Sequence, residues 1–276
     1  MSKLTVPEKY KVNYIKDQDD ERDFIFQAPH ILTGMNPTID HTPMMSSVKD
    51  QGRLGSCVSF AMGAMKEWQE NIEHAKEVSE GKKDHRQGKE YDLSEQWIYY
   101  NCKKIDPWEN EEGTSIRYGM KVLNKIGVPC EEAWEYNDIE VGEPKRWAKM
   151  VARWAKIGSY RRVRSLNELK QALVKSPVPI GVGVFLDIYY TGSDGIVKDP
   201  VNTNNFLGGH AMCAVGYDDN RGLVKVKNSW SKWWGQDGYG YLSYDYINNF
   251  MWDAWTCDDL SVTPDMLKGL YEELER

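Results

Sequence analysis

The apolar pattern of this chain changes period once, near Gly158. Before that point apolar residues recur at three- and four-residue steps, as one buried face of a helix requires. Val58, Ala61, Met65, Trp68 and Ile72 predict a helix from Cys57 to about Val78. Asp92-Leu-Ser-Glu95 reads as an N-cap with a reciprocal acid, opening a helix over Leu93–Lys104. Thr114 caps a third, faced by Ile116, Met120, Leu123 and Ile126 and ended by Gly127 and Pro129. Glu143–Lys156 predicts a fourth, with Trp147, Met150, Val151 and Trp154 inward.

After Gly158 the pattern becomes that of strands. Tyr160–Arg164 alternates weakly, and Ser165–Val174 predicts one short helix. Val178–Phe185, Gly209–Tyr217, Leu223–Asn228 and Gly238–Tyr244 read as strands, with residues 218–222 as a hairpin turn. Thr263-Pro264 opens a last helix carrying Met266, Leu267, Leu270 and Leu274. Helices followed by strands imply an α+β fold with two segregated lobes. The expected division is an arm over residues 1–45, a mainly helical lobe over 46–157, and a mainly β lobe over 158–276. Pro7, Pro29, Pro37 and Pro43 break the arm. Its Asp23-Phe-Ile-Phe26 segment is expected to add a strand to an existing sheet. The arm reads as packed on the body and as part of the working protein, not as a detachable inhibitor.

One loop carries chemistry. Gln51-Gly-Arg-Leu-Gly-Ser-Cys57 ends where the first helix begins. Unpaired N–H groups and the macrodipole at a helix N-terminus favour a thiolate, the nucleophilic form of cysteine. A buried core cysteine fits the loop equally well. Far downstream come Gly208-Gly-His210-Ala, Asn228-Ser-Trp230 and Trp234-Gly-Gln-Asp-Gly-Tyr239. This ordered set resembles the papain-like cysteine proteases. His210 follows Cys57 by 153 residues, close to the family spacing.

The resemblance implies a two-lobe fold with a cleft between the lobes, and a cysteine peptidase, expected to be an endopeptidase. It implies Cys57 as nucleophile, His210 as acid and base, Asn228 as the group orienting His210, and Gln51 as oxyanion donor. Trp230 would cover the Asn–His bond, although core packing alone would also explain a tryptophan there. Gly113 is what remains of a glycine pair that hydrogen-bonds extended substrate. Another acyl-transfer enzyme, or a silent peptide-binding module, are the alternative readings. Val58 and Ser231 depart from the family pattern beside the nucleophile and after Asn-Ser-Trp. Leu54 stands where relatives carry the cysteine that would pair with Cys102.

Composition narrows the partners. A net charge of −7 argues against general nucleic-acid binding. No apolar run is long enough to span a membrane, and the N-terminus lacks the core of a secretory signal. Five cysteines without a C-x-x-C pair predict neither a zinc site nor a disulfide framework, and suit a reducing compartment, taken here as cytoplasmic. A monomer acting on protein or peptide, without metal or cofactor, is the expectation.

Overall fold

The computed structural model describes residues 10–27, 36–84 and 86–260. The helix expected after Thr263 lies outside them. The fold is α+β, as the change of period implies. Four helices come first: α1 (Cys57–Ser79), α2 (Glu95–Ile105), α3 (Ile116–Lys125) and α4 (Arg146–Val151). The strands are β1 (Thr38–Asp40), β2 (Lys156–Val163), β3 (Val178–Phe185), β4 (Phe206–Asp218), β5 (Leu223–Lys227), β6 (Tyr239–Ser243) and β7 (Met251–Leu260). Helices α5 (Leu166–Leu173) and α6 (Tyr244–Phe250) lie among them. The pairings between these strands are antiparallel, in the order β2-β7-β3-β4-β5-β6, with β1 added on β4.

Strand β4 divides two cores. Successive side chains of a strand point to opposite faces. Ala211, Cys213 and Val215 therefore pack with α1, α2 and α3, while Met212 and Ala214 pack with β3 and β5. Each face of β4 is buried by a different set of neighbours, so the strand reads as a nearly continuous apolar run.

Several expectations are corrected. The fourth helix is shorter than Glu143–Lys156: Pro144 precedes it, a 3-10 turn (Ala152–Trp154) follows it, and Lys156 already starts β2. Trp147 on it is exposed. The cap of α2 is Ser94, whose hydroxyl accepts from the Trp97 amide; Asp92 pairs with Lys49 instead. Ser115, not Thr114, sits at the N-cap of α3 and makes no side-chain cap bond there. Ile72 ends the apolar face of α1 partly exposed. The sequence reading missed α6 and β7 altogether. Strand β7 pairs with both β2 and β3, and Asp253 sits buried in it, which breaks the apolar pattern that would have revealed it.

In the Asp23–Phe26 segment, Ile25 bridges Arg162 of β2 in the parallel sense. Phe24 is exposed and Phe26 half-buried, so the segment does not bury alternate side chains as expected.

Candidate active site

Cys57 is the first residue of α1 and is wholly buried. The Ser56 hydroxyl, one residue earlier, does not cap the helix; it bonds the Tyr136 hydroxyl at 2.6 Å. Tyr136 also donates to the Gln51 carbonyl at 2.7 Å, so one phenol holds both ends of the loop. The Cys57 thiol faces the Ala211 backbone amide of β4. It therefore lies one residue past His210.

His210 is buried on β4, and its Nε2 lies 2.8 Å from Asn228 Oδ1. The Ser229 amide donates to that same oxygen at 2.8 Å, which fixes the end of the Asn228 amide that meets the ring. Nε2 accordingly carries the proton toward Asn228. His210 Nδ1 is buried without a hydrogen-bond partner among the described residues. The Trp230 indole lies 4.6 Å from the imidazole, centroid to centroid, and is itself buried. Tyr189 stacks on the same indole at 5.0 Å.

Gln51 is buried beside them. Its Oε1 accepts from the Ser229 hydroxyl at 2.6 Å, and its backbone amide donates to the Ser229 carbonyl at 2.8 Å. Ser229 thus holds Gln51 and Asn228 at once. The sequence reading quoted it as part of Asn-Ser-Trp but gave it no task. Of the two departures from the family pattern, Val58 is wholly buried in the helical core. Ser231 takes a left-handed φ of 61°, a conformation glycine adopts without strain.

Beneath Asn228 lies a buried charge cluster. Lys49 Nζ is 2.7 Å from both Glu67 of α1 and Glu95 of α2, and Lys227 Nζ donates to the Ser46 carbonyl at 2.7 Å. Burial alone would raise the Glu67 carboxyl, but Lys49 and Lys227 hold it below its ordinary value.

The arm packs on the body, and its first described residues lie along the groove beside Gln51 and Trp230. The Tyr10 ring stacks on Trp230 at 5.2 Å. The Lys11 carbonyl accepts from Gln51 Nε2 at 3.2 Å. Asn13 bridges Gly209, the Tyr14 amide donates to the Gly209 carbonyl at 2.9 Å, and the Ile15 amide donates to the Thr114 carbonyl at 3.0 Å. Gly113 has φ +90°, and a Cβ there would come within 1.8 Å of the Asn13 carbonyl. A side chain at 113 would push the arm out.

Farther along, Asp17 is buried against Ser115, the Trp255 indole N–H and the Arg117 amide. Burial, helped by Asp253 nearby, raises its carboxyl to about 6. Arg117 pairs with Asp23 at 2.6 Å, and Arg162 with Asp19 at 2.9 Å and Asp253 at 2.6 Å.

With the arm in place the thiol is not poised as the helix N-terminus alone would suggest. Burial pushes the Cys57 thiol up to about 11 and the His210 imidazole down to about 4. Removing water penalises both charged forms and outweighs the backbone amides facing the sulfur.

A model of the papain family of cysteine proteases matches residues 37–252. The chain belongs to that family. It is 30% identical over 284 residues to an uncharacterised peptidase C1-like protein of Acanthamoeba polyphaga mimivirus, covering 90% of this chain and 86% of that one. It is 30% identical over 214 residues to cathepsin K of Gallus gallus, covering 72% of this chain and 55% of that protein. Among solved structures it resembles xylellain, a cysteine protease from Xylella fastidiosa, with TM-score 0.77 and 32% identity over 91% of this chain and 98% of that one. This papain-family protein is a cysteine peptidase with the two-lobe fold. No described helix of the peptidase is long and apolar enough to cross a membrane.

Proposed function

We propose that Cys57, His210, Asn228 and Gln51 carry out the hydrolysis, and that residues 10–17 keep the peptidase latent while they occupy the cleft. The observation that carries this is the His210–Asn228 bond under Trp230, on the strand whose next amide faces the Cys57 thiol. With Nε2 engaged, Nδ1 is the nitrogen left to take the thiol proton. The thiolate attacks the scissile carbonyl, and the oxyanion is held by Gln51 Nε2 and the Cys57 N–H. The imidazolium then protonates the leaving amine. Water, activated by the neutral imidazole, releases the acyl group from sulfur. Asn228, Ser229 and Trp230 act as positioning residues. Gly113 lies along the acyl side of the bound chain.

The Lys11 carbonyl takes the Gln51 bond that this reading gives to the oxyanion. The arm runs in the opposite sense to a substrate. A leaving amine must exit past His210 and Trp230, so the C-terminal half of a substrate lies there. The arm has its N-terminal end there instead, with Ile15 beside Thr114. The cleft accepts a chain that continues on both sides of Cys57, which supports an endopeptidase. Five free thiols support a reducing, cytoplasmic setting.

The test uses the full chain. Asp17→Arg sets a cation against Arg117 and Arg162, and should speed labelling of Cys57 by a thiol-directed epoxide at least roughly tenfold. In that background Gln51→Ala should lower kcat by roughly 10²–10³, as for loss of one oxyanion donor. Cys57→Ala should abolish cleavage. Peptidase activity retained in Cys57→Ala would overturn the assignment, and equal labelling with the arm held or expelled would overturn latency.

A further inference from the structure

Resting on the reading above, we infer that the pocket filled by Tyr14 selects substrates with a tyrosine side chain on the acyl side of the scissile bond, with Asp253 as the selecting residue. Tyr14 is the buried centre of the arm's grip on the body. Its ring lies against Gly181 and its backbone against Gly209, two residues without a side chain. A Cβ on Gly181 would come within 2.1 Å of the ring, and one on Gly209 within 2.5 Å of the Tyr14 carbonyl and 2.6 Å of Trp252. Neighbouring strands β3 and β4 thus supply a ring-sized recess, with Trp252 of β7 along it.

The recess ends in a single polar group. The Tyr14 hydroxyl donates to Asp253 Oδ2 at 2.6 Å. The other oxygen, Oδ1, is engaged by Arg162 at 2.6 Å. The Asp17 amide, also from the arm, donates to Oδ2 at 2.8 Å. When the arm leaves, Oδ2 loses both donors while Arg162 stays. A buried carboxylate oxygen left without a donor is costly, so the vacated pocket favours a side chain that brings one back. Phenylalanine fills the recess but leaves Oδ2 bare. Lysine or arginine could reach it, but Arg162 already balances the Asp253 charge, and a second cation there meets repulsion. A neutral hydroxyl on a ring satisfies both shape and charge. Burial first, and then Asp17 and Asp253, raise the Tyr14 hydroxyl well above its ordinary value, in keeping with a donor that keeps its proton.

Two measurements test this. The first uses the full chain with Cys57→Ala and Tyr14→Ala, which opens a cavity without requiring the arm to leave. 4-Methylphenol should bind it at least roughly tenfold more tightly than toluene or 4-methylanisole, by calorimetry, since the bond goes to a charged acceptor. Asp253→Asn in that background should shrink the ratio to threefold or less. Should the cavity variant not fold, Tyr14→Phe keeps the ring, and should raise the amide exchange of residues 10–17 by roughly tenfold.

The second measurement uses Tyr14→Ala combined with Asp17→Arg, which expels the arm, with Cys57 intact, given peptide pools that differ only by a fixed Tyr, Phe, O-methyltyrosine or Lys. Product ends read by mass spectrometry should place Tyr in the pocket, with kcat/KM at least roughly tenfold above the other three. Equal binding of 4-methylphenol and toluene, equal exchange in Tyr14→Phe, or equal cleavage of Tyr and Phe peptides overturns the inference. Phenol selectivity without cleavage of any pool leaves the pocket standing and overturns the catalytic reading instead.

Discussion

Two buried charge clusters flank the cleft, and they differ in who owns the partners. In the cluster beneath Asn228, Lys49, Glu67, Glu95 and Lys227 all belong to the body. In the cluster at the far end, Arg117, Arg162 and Asp253 belong to the body, but Asp17 and Asp23 come from the arm, as does the exposed Asp19 at its rim. The chemistry is the same and the consequence is opposite. The first cluster ties α1, α2 and β5 together and can only break by unfolding. The second can break by releasing one segment, because water can resolvate the guanidinium groups once the arm has gone. A buried ion pair is weak evidence for stability in itself. Here its placement decides whether it holds a fold or a latch.

The largest expected effect falls on the permanent cluster. Glu67→Ala leaves Lys49 and Lys227 with one buried carboxylate fewer, and should cost about 3–5 kcal/mol of global stability. Chemical denaturation of the full chain, read by far-ultraviolet dichroism, measures this. A change below 1 kcal/mol, as roughly expected of an exposed pair, would break the comparison.

The latch should depend on pH in a definite direction. The Asp17 carboxyl is raised to about 6 when docked, against about 3.9 when free. Below both values the two states hold the proton equally, and docking has its full strength. As pH rises from about 4 to about 6 the free arm ionises while the docked arm keeps its proton, so docking weakens, by on the order of 2 kcal/mol. Ser115, Trp255, Arg117, Tyr14 and Asp253 face this carboxyl. Protection factors of residues 10–17 should fall across that window in the wild type and stay level in Asp17→Asn. Protection that grows with pH would reverse the assignment.

The smallest effect sharpens the same contrast within the arm. Phe24 is exposed although it lies between residues that grip the body. Phe24→Ala should change stability by less than about 0.5 kcal/mol. Phe26→Ala, which uncovers a half-buried ring packed on the β core, should cost about 1 kcal/mol. Equal melting shifts for the two would mean that the segment docks differently.

These contrasts also mark what could be read in the sequence. Cys57, His210 and Asn228 could be singled out because the motifs around them stand together in an order that resembles the family's, whereas the loop before Cys57 taken alone left a buried core cysteine open. The fold class was legible because core-facing apolar residues keep their period whatever they touch. The arm was not, because its grip consists of polar residues whose partners lie far along the chain. Asp17 and Tyr14 look exposed until Arg117, Trp255 and Asp253 are placed beside them. Strand β7 was hidden for the same reason, since Asp253 is buried only because Arg162 pairs with it. Local pattern carries the helices, while long-range polar pairing carries the latch and the pocket.

Strand β4 has a consequence for how such a chain can diverge. Its odd-numbered residues from Ala211 to Val215 serve one core, and Met212 and Ala214 serve the other. Inserting or deleting a single residue just after His210 would exchange the two sets and present each core with side chains sized for its neighbour. Loss or gain of two residues keeps the faces and shifts only the register. Length changes in this strand should therefore survive selection in pairs, while the turn at residues 218–222 is free to vary one residue at a time.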